Sequence, residues 1–565
     1  MSIWSAPMSL PTTIQTAVGQ SLVQKVSRLF NGSLSDILTE LLQNSRRAAA
    51  TYVDIRSHDL AGHPTLVVRD DGSGIDDPVK LVTLGDSGWN AEIADREDPA
   101  GMGVFSLAGH RVEIRSYSRS AAQGWRVVIT PDAWETGAPL AVEPFDIGAG
   151  TEILIDFPES WETALDGAAA HCALHYPLPV FLHGNVQPRA DFLGGAIHVE
   201  QWEGCRIGVF RGLGNRPLDC PRINFHGLTV GCDFPIVSEA DHHEPWSVKV
   251  DIVDSPALQL VLPAHKEMVQ NEALEALKIA AERTIFRAFA ARESHRLSFA
   301  SWRRANDLGV QMPEAAAWLE AWAPQTADGH GLPSGEPVVN EPMVLLDNYE
   351  PDIDQGAAQA FSNGSPLGRR PVRARDAFAG YSWYDALPRV AEIAFAIDTG
   401  DRILRYADED VLPPEFVSGR VDSITLDVTI ELPDASDASQ NHLLPVEALV
   451  CRNGGYGSLD EAVVLVSRTA AITPGTLAWL IDASSFSYDE DHDSDSWDTQ
   501  HRAFEQAARH IANEILLGEE EALLERIRDA IADEIVWLIP AGRSISLIAG
   551  AGAVALSFLP EAASN

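Results

Sequence analysis

Residues 40–75 read ELLQNSRRAAATYVDIRSHDLAGHPTLVVRDDGSGI, and the fold turns on this stretch. Glu40, Asn44 and Arg47 fall at i, i+4 and i+7, on one helical face opposite Leu38 and Leu42. Ser33 or Ser35 can cap this helix, which continues to about Ala50 along the apolar stripe Ile37, Leu38, Leu41, Leu42 and Ala48. A carboxylate and a carboxamide one turn apart can serve two chemical roles. Asn44 offers a neutral oxygen to a hard cation such as Mg2+, which keeps most of its waters. Glu40 can take a proton from a water attacking phosphorus. Taken alone, the pair also fits a solvated helix face.

Next comes a strand, Thr65–Arg69, ending in Asp70-Asp71-Gly72-Ser73-Gly74-Ile75. An acidic side chain at a strand end can accept a hydrogen bond from an exocyclic amine. Gly72 and Gly74 permit a tight turn and close backbone approach to a ligand. Further along, Gly101-Met102-Gly103-Val104-Phe105-Ser106 reads as a turn opening a helix, with free N–H groups facing anionic oxygens. Gly148-Ala149-Gly150-Thr151 precedes the strand Glu152–Phe157. Other strands are expected at Tyr52–Arg56, Arg111–Tyr117 and Trp125–Thr130, with helices at Ala17–Phe30 and Trp161–His175.

In that order and spacing the four elements resemble the ATP-binding domain of the GHKL superfamily: gyrase, the ninety-kilodalton heat-shock chaperones, histidine kinases and MutL. The stretch from Glu40 to Ile75 is similar to the MutL type, and LVTLGDSGWNAEIADREDPAGMGVFSLAGHRVEIRS (81–116) to the heat-shock chaperone. Leu262-Pro263-Ala264-His265-Lys266-Glu267-Met268-Val269-Gln270-Asn271 resembles that chaperone's middle-domain catalytic loop, with Lys266 where the family has arginine. The resemblance covers roughly residues 15–300. It departs at Arg47, where the family carries an acidic residue.

The resemblance implies an α+β chain with an N-terminal GHKL α/β sandwich, a mixed sheet covered by helices, over 1–184. A ribosomal-S5-like α/β transducer domain would follow over 185–300. Glu40 would orient or deprotonate the attacking water, and Lys266 and Gln270 would reach the γ-phosphate. Asn44 would hold Mg2+, and Arg47 would either alter base recognition or touch a phosphate. Asp70 would bind the adenine amine with Thr151 helping through water, Ile75 would pack on the base, and Gly72 and Gly74 would shape the turn. Ser87 and Gly88 would precede a lid formed by 83–100. Gly101, Met102, Gly103, Val104, Phe105 and Ser106 would close over the phosphates. The implied activity is slow ATP hydrolysis to ADP with Mg2+, in a homodimeric clamp that ATP closes around a protein partner. A DNA-processing ATPase of the MutL or topoisomerase-B type and an ATP-sensing module without turnover stand as alternatives.

Beyond the resemblance, strands are expected at Ile207–Phe210, Ile223–Val230, Ser247–Val253 and Leu258–Leu262, then a helix from Asn271 to about Arg296. Residues 323–342 and 350–376 are rich in Gly, Pro, Asp and Ser, and 301–376 reads as a linker and irregular segment. Residues 377–565 read as a C-terminal α+β region with strands at Ser423–Leu432 and Ala462–Ser467. Two helices, Thr499–Leu517 and Glu519–Leu538, divide at Gly518. Their apolar steps fit core packing, or alternatively a dimerising hairpin. Ser544–Leu559 is too short for a membrane span and reads as two buried strands.

Composition limits the partners. The 565 residues carry 41 basic against 82 acidic side chains, a net charge of −41. Counterion release from phosphate backbones needs Lys and Arg, so nucleic acid and anionic membranes are disfavoured. No lysine follows a glycine, which excludes a Walker A loop. Five cysteines without a C-x-x-C spacing fit reduced thiols in a soluble, cytoplasmic protein.

Overall fold

In the computed structural model the described residues are 33–60, 62–82, 89, 103–136, 138–212, 221–240, 244–261, 267–329, 335–362, 366–433, 439–453, 459–488, 496–550 and 552–559. The chain is α+β with several sheets, and it divides into two compact units, 1–313 and 314–565. The expected helix at 17–30 lies outside the described residues.

Unit 1 begins with α1, Leu34–Arg47. Ser33 is its cap, in a reciprocal box: the Asp36 amide donates to Ser33 Oγ and the Ser33 amide to the Asp36 carboxylate. Arg46 and Arg47 sit at the negative end of the helix dipole. Leu34, Ile37, Leu38, Leu41 and Leu42 are all buried, each contributing ~1.5–3 kcal/mol.

They pack on an eight-stranded mixed sheet. Its strands are β1 (Val53–Leu60), β2 (His63–Asp70), β3 (Val112–Ser118), β4 (Gln123–Ile129), β5 (Val142–Pro144), β6 (Thr151–Asp156), β7 (Val180–Leu182) and β8 (Asn185–Val186). The order is β5-β4-β3-β6-β2-β1-β7-β8, antiparallel except for β1 with β7. Along β3 the burial alternates strictly, so Val112, Ile114, Ser116 and Ser118 face inward together. The helix expected over 161–175 is two pieces, Glu159–Glu162 and Leu165–Ala173.

A second sheet in the same unit runs β12-β11-β13-β10-β9, from β9 (His198–Trp202), β10 (Cys205–Arg211), β11 (Ile223–Phe225), β12 (Leu228–Val230) and β13 (Trp246–Ile252). The single strand expected at 223–230 is instead a hairpin, because His226 and Gly227 both take positive φ and reverse the chain. The strand expected at 258–262 reduces to one bridge, Leu260 with Met268, among the described residues. The helix Glu272–Ala290 closes this sheet, stacking Phe289 on Trp246 at 4.0 Å.

Unit 2 holds a six-stranded sheet whose main path is Arg370–Arg373, Met343–Leu346, Arg389–Asp398, Ser423–Glu431 and Ser439–Val446; Ile403–Ala407 pairs beside Arg389–Asp398. A three-stranded sheet joins Gly419–Val421, Ala462–Ser467 and Ala448–Arg452. The linker expected over 301–376 is corrected by ordered elements within it. Met343–Leu346 is wholly buried, and Pro351–Phe361 is a buried helix. Several of its polar groups find partners within the unit, although Asp352 Oδ1 and Gln355 Oε1 are buried without a hydrogen-bond partner. Asp354 accepts from the Gln325 and Tyr349 amides and from Asn348, while the Tyr406 hydroxyl donates to Asp352. A Cβ at Gly356 would lie 2.7 Å from Leu449 and Phe395.

Two helices, Trp497–Leu517 and Glu519–Glu534, follow in this unit. The first buries Phe504, Ala508 and Ala512, so core packing holds for it; the second leaves Leu523, Leu524 and Ile527 exposed. Strands Ile545–Gly550 and Ala553–Phe558 form a hairpin as expected, but they are not buried: Ala553–Phe558 is exposed throughout. Among the described residues no helix is long and apolar enough to cross a membrane.

Candidate functional site

The strand register assembles the centre of the site. Asp70 at the end of β2 pairs with Thr151 at the start of β6, and Thr151 pairs with Ser116 of β3. Three polar side chains therefore stand in one row across adjacent strands, beneath the C-terminal half of α1. Asp70 is 8% exposed. Its Oδ1 accepts from the Gly72 amide at 2.8 Å, and its Oδ2 from Ser45 Oγ of α1 at 3.1 Å. The Ser116 and Thr151 hydroxyls are 2.8 Å apart, and the Ile75 amide donates to Ser116 Oγ at 2.9 Å. Burial pushes the Asp70 carboxyl up from its ordinary range, while hydrogen bonds from Gly72, Ser45 and Thr151 pull it back.

Its neighbour Asp71 is structural. Burial alone would raise its carboxyl, but Thr51 donates through both amide and hydroxyl, and these bonds hold it lower. The result ties the end of β2 to the loop after α1.

The glycines of the Asp70–Ile75 turn are required by the chain itself. Gly74 has φ +76°, and a Cβ there would lie 2.1 Å from the Tyr117 carbonyl oxygen. A Cβ at Gly72 would lie 2.7 Å from the Ala48 side chain. The close backbone approach expected toward a ligand is, in both cases, an approach to α1 or β3.

On α1, Glu40 and Asn44 are both half-buried, one turn apart. Arg47 turns back on the helix and donates to Asn44 Oδ1 at 3.4 Å. Among the described residues no group of three or more His, Cys, Asp or Glu is placed to hold a metal. Asn44 alone is a neutral one-oxygen donor. That set suits a mostly hydrated Mg2+ carried in by phosphates and does not suit a resident ion.

Gly103–Leu107 is a five-residue 3-10 segment beside α1, a correction to the helix expected after the glycine turn. Phe105 packs its ring on Trp134 at 5.8 Å and Leu107 is fully buried, so the segment is pinned by its apolar side chains. Phe105 can therefore offer a ligand only its backbone; Val104 is half-buried and Ser106 buried. Ser87, Gly88, Gly101, Met102 and Lys266, with most of the expected lid, lie outside the described residues.

Gln270 precedes the helix Glu272–Ala290 and donates its amide back to the Met268 carbonyl at 3.2 Å. It lines an open groove of ≈ 510 Å³ with Asn271, Glu275 and Ile279. Three residues of the first sheet's site were not anticipated from sequence: Ser45, Ser116 and Gln43. Gln43 is buried and donates to the His226 carbonyl, linking α1 to the β11–β12 turn. The Tyr176 hydroxyl donates to the Leu42 carbonyl at 2.5 Å, fixing the same helix from another side.

No protein-family model matches the chain, and no curated protein matches it significantly.

Proposed function

We propose that the chain is an ATP-binding and ATP-hydrolysing protein of the GHKL type, resembling the heat-shock chaperone. The observation that carries this reading is the buried Asp70 carboxylate at a strand end, flanked by Ser45, Gly72 and Thr151 under a helix bearing Glu40 and Asn44. A carboxylate so desolvated favours a partner that donates to it, and the amine of adenine supplies such a donor. Ser45 and the Gly72 amide fix its orientation before a ligand arrives, which lowers the cost of binding.

In this reading Ile75 packs on the base and Thr151 assists Asp70. Glu40 orients or deprotonates the attacking water, and the backbone of 103–106 lies over the phosphates. Asn44 would supply the protein oxygen for a Mg2+ carried by the nucleotide, and that ion would supply charge neutralisation at the phosphates. Lys266 and Gln270 complete the phosphate site from the second sheet's domain, which is the transducer-like part. Binding at α1 reaches that part through Gln43 and His226.

The assembly is an ATP-gated homodimeric clamp, and its partner is a protein, because a net charge of −41 repels nucleic acid. Its setting is the cytoplasm; Cys172, Cys205, Cys232 and Cys451 are unpaired thiols. The test is phosphate release from ATP by the purified chain, with and without Mg2+. Turnover that requires Mg2+ and disappears in Glu40→Ala supports the reading; ATP left intact by the wild-type chain refutes the hydrolase.

A further inference from the structure

The segment Arg369-Arg370-Pro371-Val372-Arg373-Ala374-Arg375 gathers four of the chain's 41 basic side chains into seven residues, in a protein of net charge −41. A guanidinium in so acidic a chain should find a partner easily, and three of them do. Arg370 lies 3.9 Å from Glu336 and Arg375 2.8 Å from Glu320, while Arg369 donates to Gln440 at 3.4 Å. Arg373 differs: its Nε and Nη2 are buried from solvent and have no hydrogen-bond partner. These two N–H groups form one edge of the guanidinium, the fork that takes both oxygens of a carboxylate. A charged donor buried without an acceptor is costly to the folded chain, so its retention calls for a reason.

Strand register shows why the protein's own carboxylates do not fill the fork. On one side Leu346 stands beside Arg373 in a parallel pair, and the next residue, Asp347, is held by Arg389 at 3.1 Å. On the other side the antiparallel bridge Ala321–Val372 sets Glu320 opposite Arg373, and Glu320 is held by Arg375. The two carboxylates nearest in register are thus engaged, and one positive charge is left over. Trp322 follows on the same face, opposite Pro371, and its indole N–H is also buried without an acceptor. Three such donors share one face of the sheet, bordered by the apolar Leu346 and Pro371. Arg373 as a whole is half-buried, so its side chain keeps contact with the solvent from which a ligand arrives.

We propose that Arg373 and Trp322 form a binding site for the carboxylate of an organic acid with an apolar body. The fork receives both carboxylate oxygens, the indole N–H donates to one of them, and Leu346 and Pro371 border the apolar part. Charge balance selects a carboxylate over phosphate. One negative charge cancels the surplus at Arg373, whereas a phosphate dianion would leave an uncompensated charge beside Glu320 and Asp347. The site lies within unit 2, and its failure would leave the nucleotide reading untouched.

Calorimetric titration of benzoate, and separately of inorganic phosphate, into the full chain without nucleotide tests it. The wild type should bind benzoate saturably, and at least ~10-fold more tightly than phosphate. Arg373→Gln should weaken benzoate binding at least ~10-fold, while Arg370→Gln, on the opposite face of the same strand, should leave it unchanged. Stability supplies a readout that a structural role would reverse. Without ligand, Arg373→Met removes a buried charge that has no partner, and should raise the urea midpoint of unit 2. Benzoate should raise the wild-type midpoint and leave that of Arg373→Met where it is. A wild type that does not bind benzoate, or binds phosphate more tightly, overturns the proposal. So does unchanged benzoate affinity in Arg373→Gln, or an Arg373→Met variant that is less stable or fails to fold.

Discussion

Replacing Gly74 with alanine tests the architecture of the site with an internal control. Two separate costs attach to this position. The backbone sits at φ +76°, which costs a residue with a Cβ about 1–2 kcal/mol. The added Cβ would then stand 2.1 Å from the Tyr117 carbonyl oxygen, a backbone atom held in β3 by its pairing with β4 and β6. Ordinary contact begins near 3.4 Å, so the strand and the turn must separate by about 1 Å. That shift breaks the Ile75–Ser116 bond and strains the row through Thr151, raising the total to about 4 kcal/mol. Gly109 provides the control: φ is +93°, and a Cβ there meets nothing within 4 Å. Gly109→Ala should therefore cost only the conformational ~1–2 kcal/mol. Urea unfolding of both variants, with the transition of unit 1 followed by hydrogen exchange in β2 and β3, separates the two contributions. Equal losses at the two positions would refute the claim that the turn is clamped between α1 and β3.

Other expectations follow from the same geometry. Glu40→Ala should lower hydrolysis by ~10²–10⁴-fold while leaving nucleotide affinity within a few-fold, measured by phosphate release and calorimetry. Ser45→Ala removes a donor from a buried carboxylate and should weaken ATP binding ~5- to 30-fold without changing the fold, by titration and circular dichroism. In unit 2, burial pushes the Asp354 carboxyl up to about 6 from 3.8. Its folded-state value exceeds the unfolded one, so this stabilising contribution is full below pH 3.8 and is lost as pH rises through 6. Unit 2 should therefore be less stable at pH 8 than at pH 5, by about 1.4 kcal/mol of the roughly 3 kcal/mol that the whole shift is worth, and Asp354→Asn should remove that slope in urea melts at the two pH values.

The sequence made the first sheet legible because its strands bury alternate residues and its helix carries a capping box and an apolar stripe. Asp70 was visible at a strand end followed by glycines. Ser116 was missed although a signal was present: it occupies an inward phase of Val112-x-Ile114-x-Ser116, where a polar residue needs a buried partner. Ser45 was hidden by its polar neighbours Asn44 and Arg46, since nothing local says that it faces a carboxylate 25 residues away. The helix at 351–361 reads as irregular in sequence because Asp352, Asp354 and Gly356 look like loop residues; their partners Tyr406, Asn348 and Leu449 lie outside the helix. At 544–559 apolarity predicts burial, whereas the hairpin is largely exposed. A run of apolar residues establishes that something must cover it, and leaves open whether the cover belongs to the same chain.

Calorimetric titration of ATP with Mg2+ into the full chain and into Asp70→Asn tests the central claim most directly. The account predicts saturable binding of one nucleotide per chain to the wild type. It predicts at least ~100-fold weaker binding to a variant that keeps its circular dichroism, because an amide presents a second donor toward the adenine amine. Equal affinity in both proteins, or no binding to the wild type, would contradict it.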